Sequence, residues 1–390
     1  MTKTISILGS TGSIGLSVFK IIEKKKNFFK INLLSANKNY NSICQQIIKY
    51  KPNNFVITNR NIFFKIKNKF KKKKINIFNN FNSLNQKNKT DITISAIPGI
   101  AGLLPTINSI KFTKKILIAN KESVICGWEL IKNEAKKANT KIIPVDSEHY
   151  SILKLLENHD QNEIKKIYIT ASGGPFLNYK PNQFRRIKPA DALKHPKWKM
   201  GKKISVDSST LMNKILELIE AQRLFNIPND NIDILIHPNS LVHAIVQFKN
   251  GLTKFLYHET SMIIPIANAI FEKNLNIDVF FKRNKKLKSD IAKNLIFNKV
   301  DKKIFPIISL KDRLNEFPST AIIINATNEI LVEQFLNKKM PFLGIYKSIF
   351  AIMKDRNYKK YAIRNPKSID QILSIDTWAK KTTLKLLSNI

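Results

Sequence analysis

Cysteine is nearly absent from this 390-residue chain: only Cys44 and Cys126 occur. Two thiols cannot build a disulfide framework or a cysteine zinc site, so a reducing compartment is expected. Long apolar runs are missing as well. The longest candidate, Ile92 to Ile110, is broken by Pro98, Gly99, Gly102 and Pro105, short of the ~18 unbroken residues a membrane helix needs. The chain opens on a strand-like run, Thr4 to Leu8, rather than a basic segment leading into an apolar leader. No membrane partner is expected, and the expected location is cytoplasmic. Arginine is scarce: 8 of the 67 basic residues, against 59 lysines and 43 asparagines, in a chain of net charge +39. Surfaces that read nucleic acid favour the planar arginine fork. Lysine and asparagine spread from Lys3 to Lys385 read instead as the mark of an A/T-rich coding sequence. No nucleic-acid partner is therefore expected, and Lys71 to Lys74 reads as a solvated loop. The charge still raises the local concentration of anionic small molecules.

Hydrophobic residues make up 43% and charged residues 24%, an ordinary globular balance that excludes disorder as the main state. The length allows two or three domains, because single cores stop growing at about 250–300 residues. Short apolar runs alternate with helical periodicity through the first third: Ile5 to Leu8, Asn32 to Ala36, Phe55 to Thr58, Asp91 to Ser95, Lys115 to Ala119 and Lys141 to Val145. This alternation predicts an α/β fold, with an N-terminal Rossmann-like, doubly wound parallel sheet over 1–146. Residues 147–281 mix strands with one long helix, Ser209 to Phe225, and read as a central α+β catalytic domain. A Lys/Asn-rich linker is expected over 282–306 and a C-terminal helical domain over 307–390.

Two places carry recognisable chemistry. Gly9-Ser-Thr-Gly12-Ser-Ile-Gly15 follows the first strand and opens a helix, where backbone N–H groups and the helix dipole favour a dinucleotide pyrophosphate. The second strand ends in Asn37-Lys38-Asn39 without a carboxylate; a lysine there suits a 2′-phosphate, so NADPH is expected over NADH. Further on, Asp146-Ser147-Glu148 follows a strand. Residues two apart in extended chain share a face, so both carboxylates can meet a hard cation, Mg²⁺ or Mn²⁺. Glu217 is the candidate third ligand, sharing a helix edge with Asn213 and Lys214 by i,i+4 and i,i+3 spacing. Ser172 before a Gly-Gly pair, and His195 and Trp198 on a loop ending at Gly201, add anion-binding groups and a candidate lid.

Taken in order, several stretches resemble the 1-deoxy-D-xylulose 5-phosphate reductoisomerase family. They are Ile7 to Gly15, Ala119 to Ser123, Pro144 to His149, Ser172 to Phe176, His195 to Gly201, Ile204 to Lys214 and Asn325 to Glu329. The resemblance spans essentially the whole chain. It implies NADPH held by Thr11, Gly12, Ser13 and Ile14, with Asn37, Lys38 and Asn39 at the adenosine end. It further implies Asn120 and Glu122 near the nicotinamide and Gly201 approaching the cofactor from the lid. By the same resemblance Asp146, Glu148 and Glu217 hold Mg²⁺ or Mn²⁺, with Co²⁺ as a further option. Lys121, Ser147, Glu148, Ser172, His195, Trp198, Ser208, Asn213, Lys214 and Glu217 would surround a small phosphorylated sugar, with Lys121, Glu148 and His195 nearest the chemistry. The implied reaction turns 1-deoxy-D-xylulose 5-phosphate into 2-C-methyl-D-erythritol 4-phosphate for isoprenoid synthesis, and a homodimer is implied too. The chain departs from the family pattern at Asn37 and Ile215, where glycine is usual. The stretch His258 to Ile264 also lacks the arginine and the acidic residue that the family pattern leads one to expect before Pro265. Two rival readings remain at this point: another NADP-dependent dehydrogenase, such as a semialdehyde dehydrogenase using Cys126 as nucleophile, and a basic nucleic-acid-binding protein.

Overall fold

The computed structural model describes residues 2–84, 89–198, 200–273, 275–281 and 295–388, which form two compact units. The first takes in 1–123, 129–150 and the described part of 261–288. In chain order its elements are β1 (Lys3–Leu8), α1 (Ser13–Lys24), β2 (Phe29–Ala36), α2 (Tyr40–Tyr50), β3 (Asn54–Ile57), α3 (Arg60–Lys69) and β4 (Asn76–Phe78). They continue with β5 (Thr90–Ser95), α4 (Leu103–Ile110), β6 (Thr113–Ile118), α5 (Lys121–Ala138), β7 (Lys141–Pro144) and the start of α6 (Ser147–Leu155). All seven strands are parallel, in the order β4-β3-β2-β1-β5-β6-β7. The central strands are buried on both faces: Ile5 and Ile7 on one side of β1 with Ser6 and Leu8 on the other, and Ile92 and Ile94 of β5 opposite Thr93, as helices on both sides of a parallel sheet require. Strand order reverses between β1 and β5, and the crevice beyond the strand ends at such a switch point is where α/β sheets take ligands.

The second unit takes in 124–128, 151–260 and the described part of 289–390. It contains β8 (Ile164–Ala171), α7 (Pro189–Ala192), α8 (Lys202–Thr210), α9 (Met212–Phe225), β9 (Ile232–Ile236), β10 (Val242–Phe248) and β11 (Thr253–Tyr257). Its five-stranded sheet runs β11-β10-β8-β9-β12, where β12 is the short strand Asn298–Lys299. Only β8 and β9 pair in parallel; the crossover between them carries α9, which packs on both. Helix α10 (Ile263–Phe271) belongs to the first unit, where Lys115 Nζ donates to the Ala269 carbonyl at 2.8 Å. Helices α11 (Thr320–Leu336), α12 (Gly344–Ile352), α13 (Tyr358–Ala362) and α14 (Ile369–Leu387) complete the second unit.

The parallel N-terminal sheet matches the expected fold class. Residues 261–281, expected with the central segment, cluster instead with the N-terminal sheet, and the C-terminal helices cluster with 151–260 in one unit. Burial explains the second difference. Every residue from Thr320 to Asn328 on α11 is buried, so that helix needs cover on all sides. Of the expected linker 282–306, residues 282–294 lie outside the described residues.

Two local expectations are corrected. The helix expected from Ser209 to Phe225 is broken: Leu211 has φ +68°, separating α8 from α9. Apolar periodicity runs through the break because Leu211, Ile215, Leu218 and Ile219 are all core residues. Asp146 and Glu148 do not share the face of an extended chain, because β7 stops at Pro144 and α6 starts at Ser147.

Candidate active site

On the cofactor side, the turn after β1 closes tightly. Gly9 has φ +83°, and a Cβ there would lie 2.5 Å from the Ala96 carbonyl; a Cβ on Gly15 would lie 2.5 Å from that of Ser10. Both positions therefore demand glycine. Gly12 caps α1, and no side chain caps the helix's first N–H groups, which leaves the donor set a diphosphate needs. Thr11, Ser13 and Ile14 lie on this same turn. Asn37, Lys38 and Asn39 are exposed beyond β2, and the Asn39 side chain caps α2 by accepting from Ser42 N at 3.1 Å. Asn120 caps α5, accepting from Ser123 N at 2.5 Å while its amide donates to the Ile97 and Gly99 carbonyls. Glu122 is buried in the first turn of α5.

The acidic pair sits at the start of α6. The Asp146 side chain takes the position of an N-cap, its Oδ1 accepting from Glu148 N at 3.2 Å, and Ser147 Oγ donates to Glu148 Oε2 at 2.5 Å. Lys121 Nζ lies 3.4 Å from Asp146 Oδ2, and His149 Nδ1 lies 3.3 Å from Oδ1. Burial alone pushes the Asp146 carboxyl up, but Lys121, with His149 and the hydrogen bond from Glu148, holds it well below the usual carboxylate range. It is an ionised oxygen donor at any physiological pH. Its chemistry suits a hard divalent cation, and that of buried Glu148 suits one equally. His149 is a residue sequence reading missed. Its signal is the Asp-x-x-His spacing on a helix start, hidden because the segment read as extended.

In the second unit the expected edge of α9 is present. Lys214 Nζ lies 2.6 Å from Glu217 Oε2, and the Asn213 amide donates to Oε1. Lys214 and Glu217 are both buried. Ser208 stands one turn earlier, half-buried at the end of α8. Facing that end is Gly174, with φ +62° and room for no Cβ, since one would lie 2.9 Å from the Ser208 carbonyl.

Ser172, His195 and the candidate lid form one hydrogen-bonded group. Ser172 Oγ accepts from Gly174 N at 3.0 Å and lies 3.0 Å from His195 Nε2. His195 Nδ1 accepts from Lys197 N at 3.1 Å and from Trp198 N at 2.9 Å. With Nδ1 an acceptor twice over, the imidazole proton resides on Nε2, directed at Ser172. Burial, with Lys214 adding to it, lowers the His195 pKa to about 4. The ring is thus neutral in the working range. The Trp198 ring lies edge-on to His243 at 6.1 Å, and His243 stacks on His258 at 3.8 Å; neither histidine was singled out from the sequence. Residue 199 of this loop lies outside the described residues, and Gly201 caps α8. A cleft of about 420 Å³ adjoins the group, lined by Ser172, Gly174, Lys194 and Pro196 among others.

A pH prediction follows from His195. Its pKa is lowered in the fold, so between the ordinary histidine value of about 6.5 and the folded value the unfolded chain binds more protons. The stabilisation tied to His195 is present above about pH 6.5 and is lost as pH falls toward about 4. Urea melts of wild type and His195→Gln should differ in pH slope only inside that window; parallel slopes would contradict a neutral His195.

Comparison with known proteins agrees with this arrangement. The pattern of the family described as 1-deoxy-D-xylulose 5-phosphate reductoisomerase matches residues 5–127, and two patterns for C-terminal domains of that enzyme match 142–225 and 258–382. The reductoisomerase of Pelagibacter ubique (strain HTCC1062) is 46% identical over 386 residues, covering 96% of this chain and 97% of its own. The chain belongs to the 1-deoxy-D-xylulose 5-phosphate reductoisomerase family. The reductoisomerase from a Wolbachia of Drosophila simulans (strain wRi) is 38% identical over 99% of this chain and 98% of its own. Among solved structures, a reductoisomerase in complex with NADPH, fosmidomycin and magnesium superposes with a TM-score of 0.90 at 29% identity, covering 99% of this chain and 98% of that one. The Zymomonas mobilis reductoisomerase in complex with NADPH gives 0.88 at 29% identity, with both chains fully covered. Membership of the reductoisomerase family displaces both rival readings. Cys126 is buried, with Sγ 3.7 Å from the Asn325 amide nitrogen, a packing position rather than a nucleophile's.

Proposed function

We propose that this chain catalyses the rearrangement and reduction of 1-deoxy-D-xylulose 5-phosphate to 2-C-methyl-D-erythritol 4-phosphate, using NADPH and a divalent cation, Mg²⁺ or Mn²⁺. The observation that carries this reading is the pairing of carboxylates with buried lysines, half-buried Asp146 with Lys121 and buried Glu217 with Lys214. Carboxylate oxygens held beside lysines in this way are what a hard cation and an anionic sugar require. Asp146, Glu148 and Glu217 are the proposed cation ligands. Thr11, Gly12, Ser13 and Ile14 take the diphosphate of NADPH, Lys38 with Asn37 and Asn39 its 2′-phosphate, and Asn120, Glu122 and Gly201 the nicotinamide end. When bound, the cation supplies Lewis-acid stabilisation of oxygen charge and NADPH supplies hydride.

The chain's own residues then have separable tasks. Lys121 places a positive charge at the carboxylate site, where negative charge on a sugar oxygen is stabilised or a proton delivered. Glu148 and Ser147 orient the oxygens beside it. Lys214, released from Glu217, pairs with the substrate phosphate together with Asn213, Ser208 and Ser172. The neutral His195 imidazole directs its Nε2 proton toward the Ser172 side of that phosphate. Trp198 covers the sugar and excludes water, and the remote phosphate contacts hold the reacting carbons in place.

The direct test is incubation with 1-deoxy-D-xylulose 5-phosphate, NADPH and Mg²⁺ while following nicotinamide absorbance. Substrate-dependent oxidation of NADPH is expected, and its absence at high enzyme concentration would overturn the reading. We further propose a cytoplasmic homodimer. Among the described residues no helix is long and apolar enough to cross a membrane. The outer strand of the second sheet, β11, presents exposed Phe255 and follows exposed Leu252, which supports self-association along that edge. Sedimentation at about twice the 44.9 kDa chain mass is expected; a monomer at micromolar concentration would contradict it.

A further inference from the structure

The motif Asn325-Ala-Thr-Asn-Glu329 has no task in the chemistry proposed above, yet it lies on the most deeply buried stretch of α11. Buried amides are retained where they have partners. Asn328 Nδ2 donates to Asp207 Oδ1 at 2.7 Å, and Lys203 Nζ lies 3.1 Å from Asp207 Oδ2. The Asp207 side chain is only 1% exposed. Its two oxygens are thus held from different directions, one by its own helix and one by α11. Helix α11 is in turn fixed to α14, through Lys380 to Glu329 at 2.7 Å and Thr383 to Thr327 at 3.3 Å, and Lys380 is itself held within α14 by Asp376 at 3.1 Å.

What this anchored aspartate carries is the phosphate-facing segment. Helix α8 begins where the His195 to Gly201 loop ends, Ser208 follows Asp207 directly, and the left-handed Leu211 turns the chain into α9 with Asn213 and Lys214. A branched residue at φ +68° costs free energy and persists only where its surroundings over-determine it. We infer that Asn328 is a positioning residue for the substrate phosphate: by fixing Asp207 it sets the α8–Leu211–α9 bend that presents Ser208, Asn213 and Lys214 together. This rests on the phosphate role proposed above for those three residues.

The test compares two substrates, 1-deoxy-D-xylulose 5-phosphate and its unphosphorylated analogue 1-deoxy-D-xylulose, with Lys214→Ala run in parallel. Asn328→Ala is expected to raise KM for the phosphorylated substrate about tenfold, since a buried bond to a charged group is lost, with kcat changed far less. KM for NADPH and the kcat/KM for the unphosphorylated analogue should stay at wild-type values. The exchanged pair Asp207→Asn with Asn328→Asp reverses donor and acceptor, and should recover most of the lost discrimination. Should Asn328→Ala fail to fold, Asn328→Ser carries the same comparison. A merely structural role predicts equal losses on both substrates, and that result overturns the inference. If Lys214→Ala discriminates between the substrates and Asn328→Ala does not, the inference fails while the phosphate reading stands. If Lys214→Ala does not discriminate either, the phosphate reading fails and takes the inference with it.

Discussion

Replacing Glu217 by glutamine is expected to lower kcat about 10²–10³-fold, the cost of removing one preorganised charge from a cation site, while NADPH binds with unchanged affinity. The glutamine is nearly isosteric and keeps a carbonyl oxygen, so the change isolates charge from shape. Two effects combine. A cation loses an anionic ligand, and Lys214, now 2.6 Å from Glu217 Oε2, is left with an amide where a carboxylate stood. A buried lysine without its counter-ion destabilises the fold, so thermal melting must accompany the kinetics. A folded variant with intact NADPH affinity and lost turnover supports the ligand assignment; turnover near wild type refutes it.

Replacing Lys38 by alanine is expected to weaken NADPH binding about 10–100-fold and leave NADH binding almost unchanged, since hydrogen bonds to charged groups contribute about 1.5–3 kcal/mol. The two cofactors differ only in the 2′-phosphate, which makes NADH the internal control. Lys38 is exposed just beyond β2, so salt screens its charge, and in the wild type the preference for NADPH should shrink as ionic strength rises. Equal weakening of both cofactors would mean that Lys38 shapes the loop and that the 2′-phosphate is read elsewhere.

Six strands of the N-terminal sheet were legible because each is a short run with buried apolar residues set among helical stretches, and because glycines 9, 12 and 15 mark the first turn; β4, three residues long and only half-buried, gave no such signal. Periodicity failed where burial is complete. Helix α9 buries Lys214, Glu217 and Glu220 as well as Leu216 and Leu218, so no polar face announces where it begins, and the left-handed turn at Leu211 occurs at a residue type that gives no warning. The Asp146 to Glu148 segment misled for a related reason. A carboxylate two residues from another looks alike on a strand end and at a helix cap, and the hydrogen bonds from Glu148 N to Asp146 Oδ1 and from Tyr150 N to the Asp146 carbonyl distinguish them. Several local contacts were foreseeable from spacing, the Asn213, Lys214 and Glu217 edge above all. Those joining distant segments were not: Asn328 on Asp207 spans 121 positions, and no periodicity encodes a pair that far apart.

The most direct measurement of the central proposal is Mn²⁺ binding followed by electron paramagnetic resonance, in the presence of NADPH, for the wild-type chain and for Asp146→Asn, Glu148→Gln and Glu217→Gln. One tightly held ion per chain is expected in the wild type, and under the proposed ligand set each substitution alone should release it. Retention of that ion at wild-type affinity by the Glu217→Gln chain would contradict the proposal.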